Sequence, residues 1–349
     1  MPEMTRRAFS LAAASAALAP SIASAQAKTI KLLLNTSYSG PVSFLLLAAD
    51  KGYLGEAGLN VEFSPGDGAA AVVPKVRAPA YDAGYGDITA LIQRIAMSPP
   101  NEGPVAIWTT FNSVPFTIVV PASGPIHAPK DLEGRSIIGD THDAALVTFD
   151  MFCKSTGIDQ SKVKVVPSDK PMASQVSELL KGSGMDGAFG FVNTIIASVA
   201  PLGIDGRKEL RFLTYAEHLP DMYGNGLFVT RELYGDKAAL SGMVRAFNRA
   251  LADAIANPDV AIETLTKRKV AIAPEVNRTR LVGTLAAEMA HPEGARIGIG
   301  DMDDGRLGRL IDLIVEAKKL PRKPSVREVF DRSFLPPDAE RIRTLARTK

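Results

Sequence analysis

Residues 136–157, SIIGDTHDAALVTFDMFCKSTG, decide how this chain is to be folded. A β-branched pair runs into Gly-Asp-Thr-His-Asp, a string of turn formers. Apolar residues then recur at helical spacing until Gly157, a natural C-terminal stop. The unit is strand, turn, helix. Residues 162–182, KVKVVPSDKPMASQVSELLKG, repeat it, with Ser168 or Asp169 as N-cap candidates and Pro171 in the first turn. MDGAFGFV (185–192) and ELRFLTYA (209–216) read as further strands.

The same rhythm occupies the residues before this block. IKLLLN (30–35) is a strand, and GPVSFLLLAADKGYL (40–54) a helix ended by Gly52. LNVEFSPGDG (59–68) is a strand into a Gly-rich turn, and AAAVVPKVRA (69–78) an amphipathic segment with a proline near its middle. YDAGYGD (81–87) is a short strand and ITALIQRIAM (88–97) a helix; VAIWTTF (105–111) and FTIVVP (116–121) are dense in β-branched and aromatic residues. This alternation predicts an α/β architecture, and its restart near residue 136 predicts two lobes. From Ala238 onward the pattern is almost entirely helical, as in LSGMVRAFNRALADAIANP (240–258) and DDGRLGRLIDLIVEAKKL (303–320), and the final ARTK reads as frayed. We expect the chain to leave lobe one near 114–121, build lobe two, and return near 223–230. The C-terminal helices then cover lobe one. Two crossings make a hinge, and a hinge makes a cleft. The boundaries are 28–115 and 223–349 for lobe one with its helices, and 116–222 for lobe two.

Residues 1–27 are set apart as an export signal. Arg6 and Arg7 precede an alanine-rich run shorter than the roughly 20 apolar residues needed to span a bilayer. The pair has the form of a twin-arginine signal, and small residues offer cleavage near Ala25 or Ala27. An ordinary secretory signal holding two arginines by chance is the alternative. Both lead out of the cytoplasm. The 40 basic and 38 acidic residues nearly balance, and no Lys/Arg run forms a nucleic-acid stripe. Cys153 is the single cysteine, which excludes an internal disulfide and a cysteine-based metal cage. His127, His142, His218 and His291 show no metal-type spacing. GSGMDG (182–187) fits a dinucleotide fingerprint on paper, but it lies after a helix and before a strand, the reverse of the required order. A helix C-cap and turn explain it. No nucleophile elbow, P-loop or standout carboxylate pair is present. We therefore assign no catalytic residues, no cofactor and no metal.

What recurs is a strand end, a small-residue turn and a helix start: 35–44, 64–72, 83–91 and 139–146. Free N–H groups at helix starts bind ligands, and in open α/β sheets the ligand crevice lies at the carboxyl ends of the strands. The same turns also occur in α/β proteins where they touch nothing.

These residues resemble the nitrate/sulfonate/thiamine-pyrimidine group of solute-binding proteins. The resemblance is carried by SFLLLAADKGYLGEAGLNVEF (43–63), YDAGYGD, IHAPKDLEGRSI (126–137), GMDGAFGF (184–191) and MYGNGLFVTRELYGDKAALSGMVRAFNRALADAIANPDVAIETL (222–265). It covers roughly 28–270. It implies a two-lobed, type II periplasmic-binding-protein fold, each lobe a mixed sheet flanked by helices. It further implies a monomeric periplasmic receptor that closes on a solute and delivers it to an ABC permease and its ATPase. A sensor subunit built on the same clamp is one alternative. An enzyme making the thiamine pyrimidine is another, though its relatives carry a cysteine-rich segment that is missing here.

The four turns contain no Arg or Lys but carry Asp67, Asp87, Asp140 and Asp143. Aromatic faces stack on flat rings and carboxylates accept N–H groups. The expected ligand is therefore a flat neutral or cationic heterocycle such as an aminopyrimidine. A small organic anion (sulfonate, nitrate or aromatic acid) held by helix N-termini stays open, as does a purely N-capping role for the aspartates. In this reading Tyr38 and Tyr223 stack on the ligand, and Ser39, Gly68 and Ala69 supply donors. Asp87 and Asn112 bridge near the hinge. Thr141, His142 and Asp143 reach in from lobe two, Phe191 is the far wall, and Asn225 lies on the return strand. Phe111 and Asn193 complete the set.

Overall fold

A computed structural model describes residues 27–271 and 273–345; the expected leader with Arg6 and Arg7, its cleavage expected near Ala25 or Ala27, lies outside that range but for Ala27, as do the last four residues. Ten strands form two five-stranded mixed sheets. In chain order they are β1 (Lys28–Leu33), β2 (Leu59–Ser64), β3 (Ala83–Asp87), β4 (Val105–Thr109), β5 (Phe116–Pro121), β6 (Ser136–Gly139), β7 (Lys164–Pro167), β8 (Gly187–Phe191), β9 (Leu210–Thr214) and β10 (Asn225–Val229). Sheet one has the order β2-β1-β3-β10-β4 and sheet two β7-β6-β8-β5-β9. Their first three strands run parallel, joined by helical crossovers, while β10 and β5 run antiparallel to both neighbours. The restart at Ser136 is thus a second copy of one topology. The fold is the two-lobed periplasmic-binding-protein architecture.

Local chemistry explains most boundaries. Asp87 and Asp143 cap the helices Ile88–Ala96 and Ala144–Val147, accepting from Ala90 N and Ala145 N at 2.7 Å each. Gly157, with φ +71°, ends the helix Phe149–Thr156 in the left-handed conformation open to glycine. The glycines at 182 and 184, both at positive φ, connect a helix to β8 as the reversed order demanded. One cap differs from expectation. The helix after β7 starts at Met172 with Pro171 as N-cap, and the Ser168 hydroxyl instead accepts from Lys170 N two residues on. Proline disfavours helical backbone in the residue before it, so Lys170 cannot open the helix.

The C-terminal helices also differ. Lys237–Ala256 and Pro258–Lys267 pack on Ser43–Asp50 of lobe one as expected, but the later ones reach both lobes. Pro274–Ala286 lies against Gly40 on one side and against the lobe-two helix Val192–Val199 on the other. Glycines permit both approaches: a Cβ on Gly40 would sit 1.9 Å from the Asn277 carbonyl oxygen, and one on Gly283 would sit 2.6 Å from the Asn193 side chain. Asp304–Lys318 is tied to lobe two by Lys318, whose Nζ donates to Val147 O at 3.0 Å and to Asp150 at 2.7 Å. The segment between and beyond these helices adds isolated bridges to β4 at Thr109–Gly300 and Ala106–Phe330, so that sheet edge is covered.

Candidate ligand cleft

The lobes are joined by two crossings, 110–115 from β4 to β5 and 215–224 from β9 to β10. Both are gripped by one buried network. Arg306 donates to the carbonyls of Asn112 and Met222 at 2.7 Å each, one on either crossing, and pairs with Glu293 at 3.1 Å. Glu293 also accepts from Tyr223 Oη at 2.7 Å and from Asn112 Nδ2 at 3.2 Å. The Arg306 guanidinium lies 4.1 Å over the Tyr223 ring. Every polar partner is internal, so this is the base of the hinge rather than a ligand surface. It corrects the expectation for two residues. Tyr223 is fully buried, its hydroxyl engaged by Glu293 and by Asp303 N, and Asn112 holds the Asp301 carbonyl.

Above the hinge lies a cavity of about 190 Å³ between the lobes. An engineered apolar cavity of ~150 Å³ holds a benzene, so there is room for one ring with small substituents. The walls are built where the sequence placed the crevice, at the carboxyl ends of parallel strands. Asn35 and Thr36 follow β1, Gly68 and Ala69 follow β2, His142 and Asp143 follow β6, and Asn193 follows β8 with Phe191. Phe111 and Pro115 come from the first crossing and Met172 from the helix after β7. The lobes meet at Gly68 and His142. Gly68 has φ +147°, and a Cβ there would lie 2.7 Å from the His142 carbonyl oxygen. The described conformation is therefore one with the cleft drawn together.

The structure brings Gly68, Ala69, Phe111, His142, Asp143, Phe191 and Asn193 to this cavity and leaves the other candidates outside it. Tyr38 turns away, its hydroxyl donating to Phe63 O at 2.8 Å. Ser39 is buried beneath the turn before Gly40. Thr141 faces a neighbouring groove with Ala70 and Gln93. Asp87 and Asn225 sit opposite each other in the β3–β10 register, buried within lobe one. Asp87 is an N-cap whose carboxyl burial pushes up to about 7.

The acidic residues of the turns already have partners. Asp67 pairs with Lys75 at 2.7 Å, Asp140 accepts from His142 N at 2.7 Å, and Asp143 caps its helix, burial pushing its carboxyl up to about 6. Two groups the sequence reading missed each keep a buried polar atom without a partner among the described residues. Arg280, on Pro274–Ala286, lines the cavity; its Nε is buried without a hydrogen-bond partner, and no carboxylate pairs with it among the described residues. Burial pushes its guanidinium down to about 10. Glu288, 3% exposed, accepts from Asn193 Nδ2 through Oε1 at 2.8 Å, while Oε2 is buried with no partner. Burial raises that carboxyl to about 7. Its backbone carbonyl also accepts from Ser113 N on the first crossing at 2.9 Å. Arg280, Thr284 and Glu288 recur every four residues and all line the cavity. Arg280 and Thr284 share a helix face at i, i+4, and Glu288 follows two residues past the helix end at Ala286.

Comparison with known proteins follows this geometry. The alkanesulfonate-binding protein SsuA from Xanthomonas axonopodis pv. citri, bound to MOPS, superposes with a TM-score of 0.62 at 14% identity, covering 87% of this chain and 98% of that one. The periplasmic aliphatic sulphonate binding protein SsuA from Escherichia coli gives 0.61 at 14%, covering 86% and 91%. The desulfurization enzyme DszB, as a variant in complex with biphenyl-2-sulfinic acid, gives 0.60 at 14%, covering 87% and 97%. At such identities the likeness is one of fold, and the fold serves binding proteins and an enzyme alike. No curated protein matches the chain in sequence. The family model described as NMT1/THI5 like matches residues 41–261, which hold β2 to β10 and both crossings. The chain belongs to the NMT1/THI5-like family.

Proposed function

We propose that this chain is the extracytoplasmic solute receptor of an ABC importer, and that it closes its two lobes on a small organic anion about the size of one substituted ring. The observation that carries this reading is Arg280, which lines the cleft with its Nε buried and with no carboxylate partner among the described residues. A buried charge with no partner is costly in a ligand-free protein. A planar carboxylate or sulfonate would match its fork of donors. The aminopyrimidine expectation rested on aspartates of the turns, and each of these has a cap, turn or ion-pair role of its own. The two-lobed fold, the hinge and the leader at Arg6-Arg7 support capture and delivery outside the cytoplasm. The permease and ATPase are the partners this role requires.

Closure follows from the ligand contacting both lobes at once. A ligand favours the closed state by its differential affinity for it. Here Gly68 and Ala69 lie on one lobe, Phe191 and Asn193 on the other, and Arg280 on a helix touching both.

The test is a binding panel on refolded, ligand-stripped protein, read by calorimetry: benzoate, methanesulfonate, nitrate and a neutral aminopyrimidine. An acid binding in wild type and lost in Arg280→Met supports the reading. Binding of the aminopyrimidine alone, unchanged in that variant, overturns it.

A further inference from the structure

The cavity has two poles. Arg280 marks one. Glu288 marks the other, two residues past the end of the helix that carries Arg280. No ion pair joins them among the described residues, and both line the cavity. That space is walled by Phe111, Pro115, Met172 and Phe191. We propose that the anion held at Arg280 carries a hydrogen-bond donor, an N–H or O–H, at its far end, and that Glu288 Oε2 accepts it. This rests on the anion reading above and deepens it: the ligand class becomes an amino- or hydroxy-substituted ring acid.

The roles of the two Glu288 oxygens are fixed by their surroundings. Oε1 is taken by Asn193 Nδ2 at 2.8 Å, from a helix of lobe two. Oε2 has no partner and is buried. An ionised carboxylate offers only acceptors, so the complementary ligand group is a donor. A ligand carrying a methyl group there would leave that oxygen unsatisfied, and unpaired buried polar groups are the strongest source of discrimination between near-isosteres. Because Glu288 also accepts Asn193 across the cleft and holds Ser113 on the crossing through its backbone, recognition of the donor and contact between the lobes share one residue.

The test compares 4-aminobenzoate, 4-methylbenzoate and 4-nitrobenzoate on wild type and Glu288→Gln, by calorimetry at pH 8, where Glu288 is ionised. In wild type the amino acid should bind at least tenfold tighter than its methyl isostere, and the nitro compound weakest. In Glu288→Gln the amide oxygen is held by Asn193, so the amide NH₂ faces the ligand, and the order of amino and nitro should invert. A merely structural role for Glu288 would weaken all three equally. Equal affinities for the amino and methyl compounds in wild type overturn the proposal, even if the variant fails to fold. If all three bind alike and all are lost in Arg280→Met, the donor pole fails while the anion reading stands. If none binds, both are refuted for ring acids.

Discussion

Replacing Arg280 by methionine should make the ligand-free protein more stable and the receptor blind. Burial lowers the Arg280 guanidinium from its ordinary range to about 10, a drop of roughly two to three pH units. Each unit corresponds to 1.36 kcal/mol, so holding the charge in the empty fold costs about 3 kcal/mol. The sign follows from linkage. The folded value is depressed, and for a base this means the charged form is disfavoured in the fold. The cost is fully present below pH 10 and is relieved only as pH rises toward the ordinary guanidinium range. At neutral pH the variant escapes it, while methionine keeps much of the aliphatic stem's packing. Binding moves the other way. Losing one member of a buried charge pair costs ~2–5 kcal/mol, so an acid should bind at least thirtyfold more weakly. The assay is urea unfolding followed through Trp108, the single tryptophan, buried between Phe44 and Phe247. Protein must first be stripped of ligand in denaturant. A variant less stable than wild type that still binds the acid with full affinity would refute the reasoning.

Arg306 is also buried, but its two terminal nitrogens are held by Glu293 and by two crossing carbonyls, and Arg306→Met should behave oppositely. It orphans Glu293 and two crossing carbonyls, and breaking such a pair costs ~3–5 kcal/mol, read as a lower urea midpoint. Gly68→Ala should hold the lobes apart, since its Cβ would meet the His142 carbonyl at a strained positive φ; ligand affinity should fall, and small-angle scattering at saturating ligand should show a larger radius of gyration than wild type. Asp87→Asn keeps the N-cap and removes a carboxyl raised from 3.8 to about 7. A raised value means stability present below pH 4 and lost as pH climbs through 7, so the variant should match wild type near pH 4 and exceed it at pH 8 by up to about 4 kcal/mol. Equal unfolding midpoints at pH 8 would show that Asp87 keeps its ordinary titration.

What the sequence made legible is what local chemistry determines. The two sheets followed from runs such as Val105–Thr109 and from turn residues between them. Asp87 and Asp143 were readable as caps because an N-cap is satisfied within three residues. The cavity residues that were found early, among them Gly68, His142 and Phe191, sit at strand ends whose position the alternation itself fixes. Tyr38 and Tyr223 were misplaced for the converse reason. Both are polar-tipped aromatics at the right points along the backbone, yet each turns toward a distant acceptor, Phe63 O for one and Glu293, 70 residues on, for the other. Nothing near them in the sequence announces those partners. The expected heterocycle rested on the four turns, and the anion proposed here rests on a group outside them. They hold only acids, and the cleft's arginine arrives from a helix that was expected to do no more than cover lobe one.

That helix suggests how the fold divides its labour. The family match ends at residue 261, after both sheets are complete. Arg280 and Glu288, the two unsatisfied charges of the cleft, lie beyond it, and so do Glu293 and Arg306, which clamp the crossings. Both crossings and nine of the ten strands thus fall in the shared part of the chain, whereas Arg280 and Glu288, proposed to select the ligand, and the clamp at the hinge's base come from the segment that follows. Within that segment the two arginines state the physical distinction between the roles. Arg306 has carbonyls and a carboxylate around it and stabilises the fold as it stands. Arg280 lines the cavity with its Nε unpartnered among the described residues, which is why the proposed anion is placed against it.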